Sequence, residues 1–251
     1  MNIRTHSFAA LFAIIGAATA QEPAGDGREA AEVVAPTALQ KARRRAAVHN
    51  KRVLVALPAP GQDLAALVLR DRAVSRTFRY EFEVVTGGAE RYASLPRPAL
   101  VIEDAAGKQL ATFASDTFLA DGKLRGARLL AAAKPHFCAP VDAQEKLQAA
   151  MATAKKTGKN ILIRFDAPWC GWCKVLEEFL ERQVTAPIYG KGWVDLMIDV
   201  DRDTSGKEIN TRYKGKRSGG LPWVVIVGPD GVELLSSNAQ TGDKNDGKNV
   251  G

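Results

Sequence analysis

The chain has 251 residues, which is room for about two domains. Its composition, 46% apolar and 25% charged, is that of an ordinary soluble protein. The formal charge of +7 describes a moderately basic surface, for which solvation is a better interpretation than a specific acidic partner. Beyond the first twenty residues no apolar run is long enough to span a membrane as a helix.

The N-terminus has the pattern of an export signal. A basic residue, Arg4, precedes an apolar core at residues 8–16, and the small residues Ala18 and Ala20 form a cleavage site. We therefore predict a signal peptide at residues 1–20 and a periplasmic or secreted protein, with no membrane span once the signal is removed. Exported proteins occupy compartments in which disulfides persist. Residues 21–36, rich in Ala, Gly, Glu and Pro, are predicted to be a flexible lead-in.

The first half of the chain alternates helical and strand patterns. The predicted elements, in order, are a helix at 37–50, a strand at 52–57, a helix at 63–69, strands at 81–85, 99–102 and 109–113, and a helix at 118–133. The first helix is basic, but no aromatic residues interleave with its Lys and Arg. We interpret it as a solvated helix face and expect no nucleic-acid binding.

A short linker is predicted at residues 135–140, where Cys138 lies between two prolines. The chain has three cysteines, and Cys138 is the one that has no partner in the sequence pattern. It fits a regulatory thiol or an intermolecular disulfide, and it fits better a small, half-buried residue at a domain junction.

The second half repeats the alternation. The predicted elements are a helix at 142–156, a strand at 161–165, a helix at 174–183, a strand at 194–200, a short helix at 209–213, and a hairpin of strands at 223–227 and 232–235. We expect the helix at 174–183 to bury four apolar side chains: Val175, Leu176, Phe179 and Leu180.

Two cysteines, Cys170 and Cys173, lie where the predicted strand at 161–165 gives way to the predicted helix. A helix start has unpaired N–H groups and partial positive charge, which favour the thiolate of Cys170 and lower a thiol pKa from about 8.5 to roughly 3.5–7.5. A stable thiolate attacks and leaves readily in disulfide exchange. Cys173, one turn further in, should be more buried. A permanent disulfide closing so small a loop stabilises little, so the pattern favours a redox pair.

The residues Trp169-Cys170-Gly171-Trp172-Cys173-Lys174, together with Gly220-Leu221-Pro222-Trp223, resemble the thioredoxin superfamily. The resemblance covers roughly residues 141–236 and implies a mixed β-sheet flanked by helices. It also implies that Pro222 is the cis-proline that faces the disulfide. Many thioredoxins bury an acid six residues ahead of the first cysteine. Here Arg164 occupies that position, and Asp166 follows it, so the resemblance assigns the proton-relay role to no residue.

The resemblance implies a role for each motif residue. Cys170 attacks a substrate disulfide, and Cys173 resolves the mixed disulfide. Five further residues flank the sulfurs or contact the substrate strand: Trp169, Trp172, Leu221, Pro222 and Trp223. No organic cofactor is needed, and the electrons come from a partner protein. Reductase, isomerase and oxidase share these parts, and the apolar Leu221 before the proline favours a reductase.

The two halves match in element order, which indicates an internal repeat. Pro98 corresponds to Pro222, but the first half has no cysteines where the second has its pair. We therefore predict an α/β fold of tandem thioredoxin-like domains, 37–134 without redox cysteines and 141–251 with them. The first half ends in a predicted helix, whereas residues 236–251 are polar and glycine-rich. The missing helix suggests either a shortened second domain or an exposed sheet face that needs a partner.

Two other functions remain open. Cys170 and Cys173 could hold copper(I) or zinc as a soft-metal module, although the absence of a second Cys pair and of a Met cluster argues against it. Alternatively, the first domain is a non-catalytic adaptor and the disulfide is only local. We expect no metal site elsewhere, because the acids Asp199, Asp201 and Asp203 fail the spacing of a calcium loop. His49 and His136 stand alone in the sequence.

Overall fold

The computed structural model describes residues 36–87, 90–182 and 185–238. The predicted signal peptide, residues 21–35 of the lead-in and the polar stretch after residue 238 lie outside the described residues. From Pro36 onward the chain forms one compact unit. Within the described ranges, no helix combines the length and the apolar character that a membrane crossing requires.

The described part of the first half contains a four-stranded mixed sheet. Its elements are α1 (Ala38–Val48), β1 (Arg52–Leu57), α2 (Leu64–Arg70), α3 (Ser75–Glu81), β2 (Phe82–Thr86), β3 (Ala99–Glu103), β4 (Gln109–Ala114), α4 (Ser115–Phe118), β5 (Leu119–Ala120), β6 (Lys123–Leu124), α5 (Gly126–Ala133) and a 3-10 turn (Lys134–His136). The strand order is β2-β1-β3-β4, with β1 parallel to β2 and antiparallel to β3.

The described part of the second half contains another four-stranded mixed sheet. Its elements are α6 (Ala143–Thr157), β7 (Asn160–Asp166), α7 (Gly171–Leu180), α8 (Ala186–Gly192), β8 (Trp193–Asp199), α9 (Gly206–Lys214), β9 (Trp223–Val227) and β10 (Glu233–Asn238). The strand order is β8-β7-β9-β10, with β7 parallel to β8 and antiparallel to β9. The expectation of an α/β fold with mixed sheets and helices is confirmed.

The predicted helix at 118–133 is wrong over its first half. That stretch forms the β5–β6 hairpin, and only Gly126–Ala133 is helical. Asp121 and Gly122, at the tip, both have positive φ angles, 50° and 71°. This backbone shape suits a tight two-residue hairpin, for which Asp-Gly is a preferred sequence. The helices α3 and α8 were also not predicted.

The helix α7 turns a different face inward from the one predicted. Val175 and Phe179 are 49% and 45% exposed, whereas Cys173 and Glu177 are buried. Leu176 and Leu180 are half-buried. A charged side chain thus replaces apolar ones on the buried side of the helix, and it needs polar partners there.

Those partners come from the first half of the chain. The side of α7 that carries Glu177 is covered by α1, whose Arg45 and His49 side chains reach the Glu177 carboxylate at 3.3 and 3.0 Å. A second contact centres on Arg202, which donates to the backbone carbonyl of His49 at 2.8 Å and to Glu81 at 3.0 Å. The two halves therefore share buried, charged contacts.

Candidate active site

The two cysteines lie at the junction of β7 and α7. β7 ends at Asp166, and α7 begins at Gly171, with Cys170 as its N-cap. The backbone N–H of Cys170 donates to the carbonyl of Ala167 at 2.9 Å, and the N–H of Cys173 donates to the Cys170 Sγ at 3.1 Å. The first turn of the helix thus directs a backbone donor at the sulfur of Cys170, which stabilises negative charge there.

Cys170 and Cys173 form a disulfide with a sulfur–sulfur distance of 2.07 Å. Both residues are 3% exposed. Cys173 was predicted to be more buried than Cys170. That prediction is wrong for this disulfide form, in which the two bonded sulfurs lie together in the core and the two residues are equally buried.

Asp166 lies beside the sulfurs. One of its carboxylate oxygens is within 4.8 Å of Sγ of both Cys170 and Cys173. Burial raises the pKa of Asp166, and the positive charge of His49 and the hydrogen bond from the N–H of Ala167 oppose that rise only in part. Asp166 is therefore an acid, next to the reactive pair, whose ionisation is disfavoured. A group of this kind can take up and release a proton during exchange.

Arg164, which stands where many thioredoxins have the buried acid, is held in an ion pair. It makes two hydrogen bonds of 2.9 Å to the carboxylate of Asp195 on the neighbouring strand. Burial by itself lowers the pKa of Arg164, but the hydrogen bonds and charge of Asp195 outweigh it and raise the pKa. Arg164 therefore stays a cation in an ion pair, and the acid nearest the sulfurs is Asp166.

His49 and Glu177 belong to the site, and sequence reasoning missed both. His49 Nε2 lies 3.0 Å from Glu177 Oε1, and its Nδ1 lies 3.9 Å from Asp166 Oδ2. A signal for Glu177 was present, because Cys173 and Glu177 are four residues apart and share one helix face. His49 gave no local signal, since its partners lie more than a hundred residues away in the chain.

Two indoles next to the cysteines in sequence are exposed. Trp169 and Trp172 are 60% and 64% exposed. The Nε1–H of Trp169 donates to Asp201 at 2.7 Å, and the same carboxylate oxygen accepts from the hydroxyl of Tyr80 at 3.0 Å. Asp201 thus links Trp169 to α3 of the first half. Trp172 is the more exposed ring of the two.

The residues around Pro222 lie at the same end of the sheet as the cysteines. The antiparallel pairing of Phe165 with Trp223 places Pro222 beside the end of β7, and the Leu221–Pro222 peptide bond is cis. Pro222 is buried and Leu221 is half-buried. Trp223, predicted to contact substrate, has its side chain in the core, 1% exposed. Its indole is covered by Lys214 and Arg217, 5.7 and 5.6 Å from the ring centre.

Cys138 is a free thiol and is half-buried. Burial raises the pKa of the Cys138 thiol, and the charges of Arg52 and Arg202 oppose this rise. A thiol of this kind is mostly protonated at neutral pH and reacts slowly.

The donors that could share a metal ion were also compared over the described residues. Three lie close enough together, Asp166, Cys170 and Cys173. A structural zinc site takes four ligands, and sulfurs joined in a disulfide offer no thiolate. The acids Asp199 and Asp203 have other partners: Asp199 accepts from the backbone N–H groups of Asp201 and Arg202, and Asp203 pairs with Lys146 at 2.7 Å. The geometry at the cysteines thus suits disulfide exchange better than metal binding.

Parts of several known proteins are similar in sequence to the second half of this chain. Residues 142–229 match the family model described as thioredoxin-like. The thiol:disulfide interchange protein DsbD of Pseudomonas fluorescens is 32% identical over 98 residues, which are 38% of this chain and 16% of that protein. The protein disulfide-isomerase of Zea mays is 31% identical over 88 residues, 35% of this chain and 16% of that protein. The chain thus spans 16% of the length of each of these two relatives.

Among solved structures, the disulphide isomerase from Xylella fastidiosa Temecula1 is 30% identical and has a TM-score of 0.34. The match covers 38% of this chain and 73% of that one. Residues 142–229, which match the family model, include both cysteines and Pro222. By its sequence motif, its family match and its Cys170–Cys173 disulfide, the part of the chain at residues 142–229 is thioredoxin-like.

Proposed function

We propose that the protein is an exported thiol–disulfide oxidoreductase that reduces or isomerises protein disulfides through a Cys170–Cys173 cycle. One observation carries the proposal: the two sulfurs form a disulfide at the start of α7, with the carboxylate of Asp166 within 4.8 Å. The matches to a thiol:disulfide interchange protein and a protein disulfide-isomerase support the same chemistry.

The cycle conserves electrons and protons. In the reduced protein, the Cys170 thiolate attacks one sulfur of the substrate disulfide, a mixed disulfide forms, and a substrate thiolate leaves and takes up a proton. The Cys173 thiol then gives its proton to Asp166, and its sulfur attacks Cys170. The bond between Cys170 and the substrate breaks, and the second substrate thiolate leaves. Two electrons pass to the substrate, and a partner dithiol protein must return them.

The substrate is expected to dock between the exposed indoles and the Pro222 segment. Trp169 and Trp172 offer apolar surface beside the sulfurs. Leu221 and Pro222 lie at the same sheet end, where an extended substrate segment can lie along the backbone. The side chain of Trp223 supports this segment from the core and is not proposed as a contact.

The tandem arrangement is part of the proposal. Both sheets have the same strand order and the same directions, which supports two thioredoxin-like domains at 37–134 and 141–251, joined by a linker at 135–140. Of these, only the second carries the cysteine pair. The first domain then serves the second through the contacts at His49, Arg45 and Arg202.

Export to the periplasm or the outside of the cell is proposed from residues 1–20. Fractionation of cells and N-terminal sequencing of the mature protein test it. A mature protein that still begins at Met1 and stays with the cytoplasm would contradict export.

The experiment for the function is the reduction potential of the Cys170–Cys173 pair, measured by equilibration in thiol buffers with Cys138→Ala as the control. A potential near that of thioredoxin, roughly −270 mV, supports a reductase supplied by a donor, and one near roughly −120 mV indicates a disulfide donor. The proposal fails if no reversible two-electron couple exists.

A further inference from the structure

A histidine from the first half of the chain connects to the redox site of the second. His49 is 9% exposed, and each of its ring nitrogens faces a buried carboxylate, Glu177 at 3.0 Å and Asp166 at 3.9 Å. Both acids are 7% exposed. An imidazole held between two buried acids can stabilise the anion of one by its positive charge while the other fixes its orientation.

The side chains of Asp166, His49 and Glu177 form a series of contacts that begins at the sulfurs. The carboxylate of Asp166 lies within 4.8 Å of the sulfur of Cys173 and 3.9 Å from His49 Nδ1. On the far side of the ring, the other ring nitrogen, His49 Nε2, lies 3.0 Å from Glu177 Oε1. The distance of 3.9 Å from Asp166 to the ring exceeds a hydrogen bond by about 1 Å, and such contacts shorten when a reaction proceeds.

The two acids differ in charge state. Burial tends to raise the pKa of Glu177, but the hydrogen bond from His49 and the charges of His49, Arg45 and Arg164 outweigh it and lower that pKa. Burial raises the pKa of Asp166, and there the charge of His49 compensates only in part. Glu177 is thus a fixed anion that stabilises an imidazolium, whereas Asp166 is suited to carry a proton for a short time.

We propose that His49 is a positioning residue for the resolving step: its positive charge, held in place by Glu177, keeps Asp166 ionised so that Asp166 can take the proton that Cys173 releases. This inference rests on the proposed function. When Cys173 attacks, its proton moves to the Asp166 carboxylate, and Asp166 then gives it to solvent, so Asp166 is an anion again for the next cycle. The His49 imidazolium remains paired with the Glu177 carboxylate throughout. No electrons move through His49.

A small cavity lies beside the ring. A cavity of about 10 Å³ is lined by His49, Asp166 and Lys174. This volume is near the minimum for one water molecule, and the lining is polar. The other charged groups around the ring come from its own helix and from the elements packed against it, and they are Arg45, Lys51, Glu81, Glu83 and Arg202.

The test separates the attack of Cys170 from the resolution by Cys173. Reduced protein in a Cys138→Ala background is mixed rapidly with 5,5′-dithiobis(2-nitrobenzoate). The first thionitrobenzoate released reports the attack of Cys170, and the second reports the attack of Cys173. We expect His49→Gln to leave the first rate unchanged and to slow the second about tenfold at neutral pH, less than the roughly hundredfold typical of a direct general base. The pH dependence of the second rate should also move to higher pH.

Glutamine separates this role from a structural one, because its amide still donates a hydrogen bond to Glu177 but carries no positive charge. Wild-type rates and pH dependence in His49→Gln would overturn the inference. The matched control is His136→Gln, since the described part of the chain places His136 beside Phe113, away from the cysteines. If His49→Gln does not fold, His49→Asn makes the same test, since it too removes the imidazole, and it should slow only the second release.

A readout without substrate keeps the inference apart from the proposed function. In reduced protein with carboxyl-labelled aspartate, ¹³C NMR follows the ionisation of Asp166. We expect its apparent pKa to be higher in His49→Gln than in wild type, because a compensating positive charge is lost. If wild type releases no thionitrobenzoate, the proposed function fails. Equal titration of Asp166 in wild type and variant would overturn the role of His49, whatever the activity.

Discussion

Arg164 and Asp195 form a two-fold hydrogen-bonded ion pair across the neighbouring strands β7 and β8, with both nitrogen–oxygen distances at 2.9 Å. The Arg164 side chain is 7% exposed, whereas that of Asp195 is 39% exposed. Asp195 is therefore the solvated partner that keeps a buried guanidinium satisfied, and the pair costs less to form than one in which both charges are buried.

Asp195→Ala should lower the free energy of unfolding by about 2 kcal/mol, because it leaves the buried Arg164 without its acceptors. Urea denaturation measures this change. Asp195→Asn, which keeps one acceptor oxygen, should lose less. If Asp195→Ala were as stable as wild type, the ion pair would not be a stabilising contact.

Asp166→Asn should stabilise the oxidised protein at neutral pH. The pKa of Asp166 is raised by burial above its ordinary value of 3.8, so the stability contributed by its neutral form is full below that value and is lost as the pH rises through the raised pKa. Asparagine stays neutral throughout. The difference in Tm between variant and wild type should therefore grow from acid to neutral pH.

Glu178→Gln is the control for that comparison, because Glu178 is an exposed acid on α7. Its Tm should follow that of wild type at every pH. A lower Tm for Asp166→Asn than for wild type at neutral pH would mean that the ionised carboxylate stabilises the fold, contrary to the burial argument.

Trp172→Ala should weaken substrate docking without affecting the fold, because the indole is 64% exposed beside the cysteines. We expect KM for a protein disulfide to rise roughly fivefold with kcat unchanged, as loss of about 1 kcal/mol of uniform binding predicts. Steady-state kinetics measure it. Ile188→Ala is the control, since Ile188 is 74% exposed on α8, and a similar rise there would argue against a docking role specific to Trp172.

Gly206→Ala should destabilise the protein by about 1–3 kcal/mol through overpacking. A Cβ at Gly206 would lie 2.4 Å from the backbone oxygen of Asp199, which cannot move away without distorting the end of β8. Gly171→Ala, between the two cysteines, is the matched control because a Cβ there meets nothing within 4 Å. Thermal unfolding of both variants tests the contrast, and equal Tm values would contradict it.

The elements around the cysteines could be predicted because their signals are local. The strand at 161–165 is a short apolar run, and the helix that follows begins at Gly171, directly after the Cys170 cap. Gly158 ends α6 in the left-handed conformation, which glycine commonly adopts directly after a helix. The antiparallel β9–β10 pair likewise follows from the Pro-Asp-Gly turn between two apolar runs.

The rest of the site depends on contacts that sequence spacing does not encode. The apolar pattern of α7 predicted that Val175 and Phe179 are buried. The buried face is a different one because it contacts Arg45 and His49, which come from another part of the chain. The partner of Asp166 was unknown for the same reason. The position of Trp223 in the motif suggests substrate contact, but its indole is buried and is covered by Lys214 and Arg217.

Arg202 donates to Glu81 and to the backbone carbonyl of His49, so a loop of the second half depends on the identity of a residue 121 positions earlier. A substitution at either position leaves a half-buried charge without its partner, and a matching substitution at the other can compensate for the loss. In related chains that keep both halves, positions 81 and 202 are therefore expected to vary together, as are 49 and 177. The two halves would then evolve as a single unit, and exchanging one of them between relatives would separate partners that had adapted to each other.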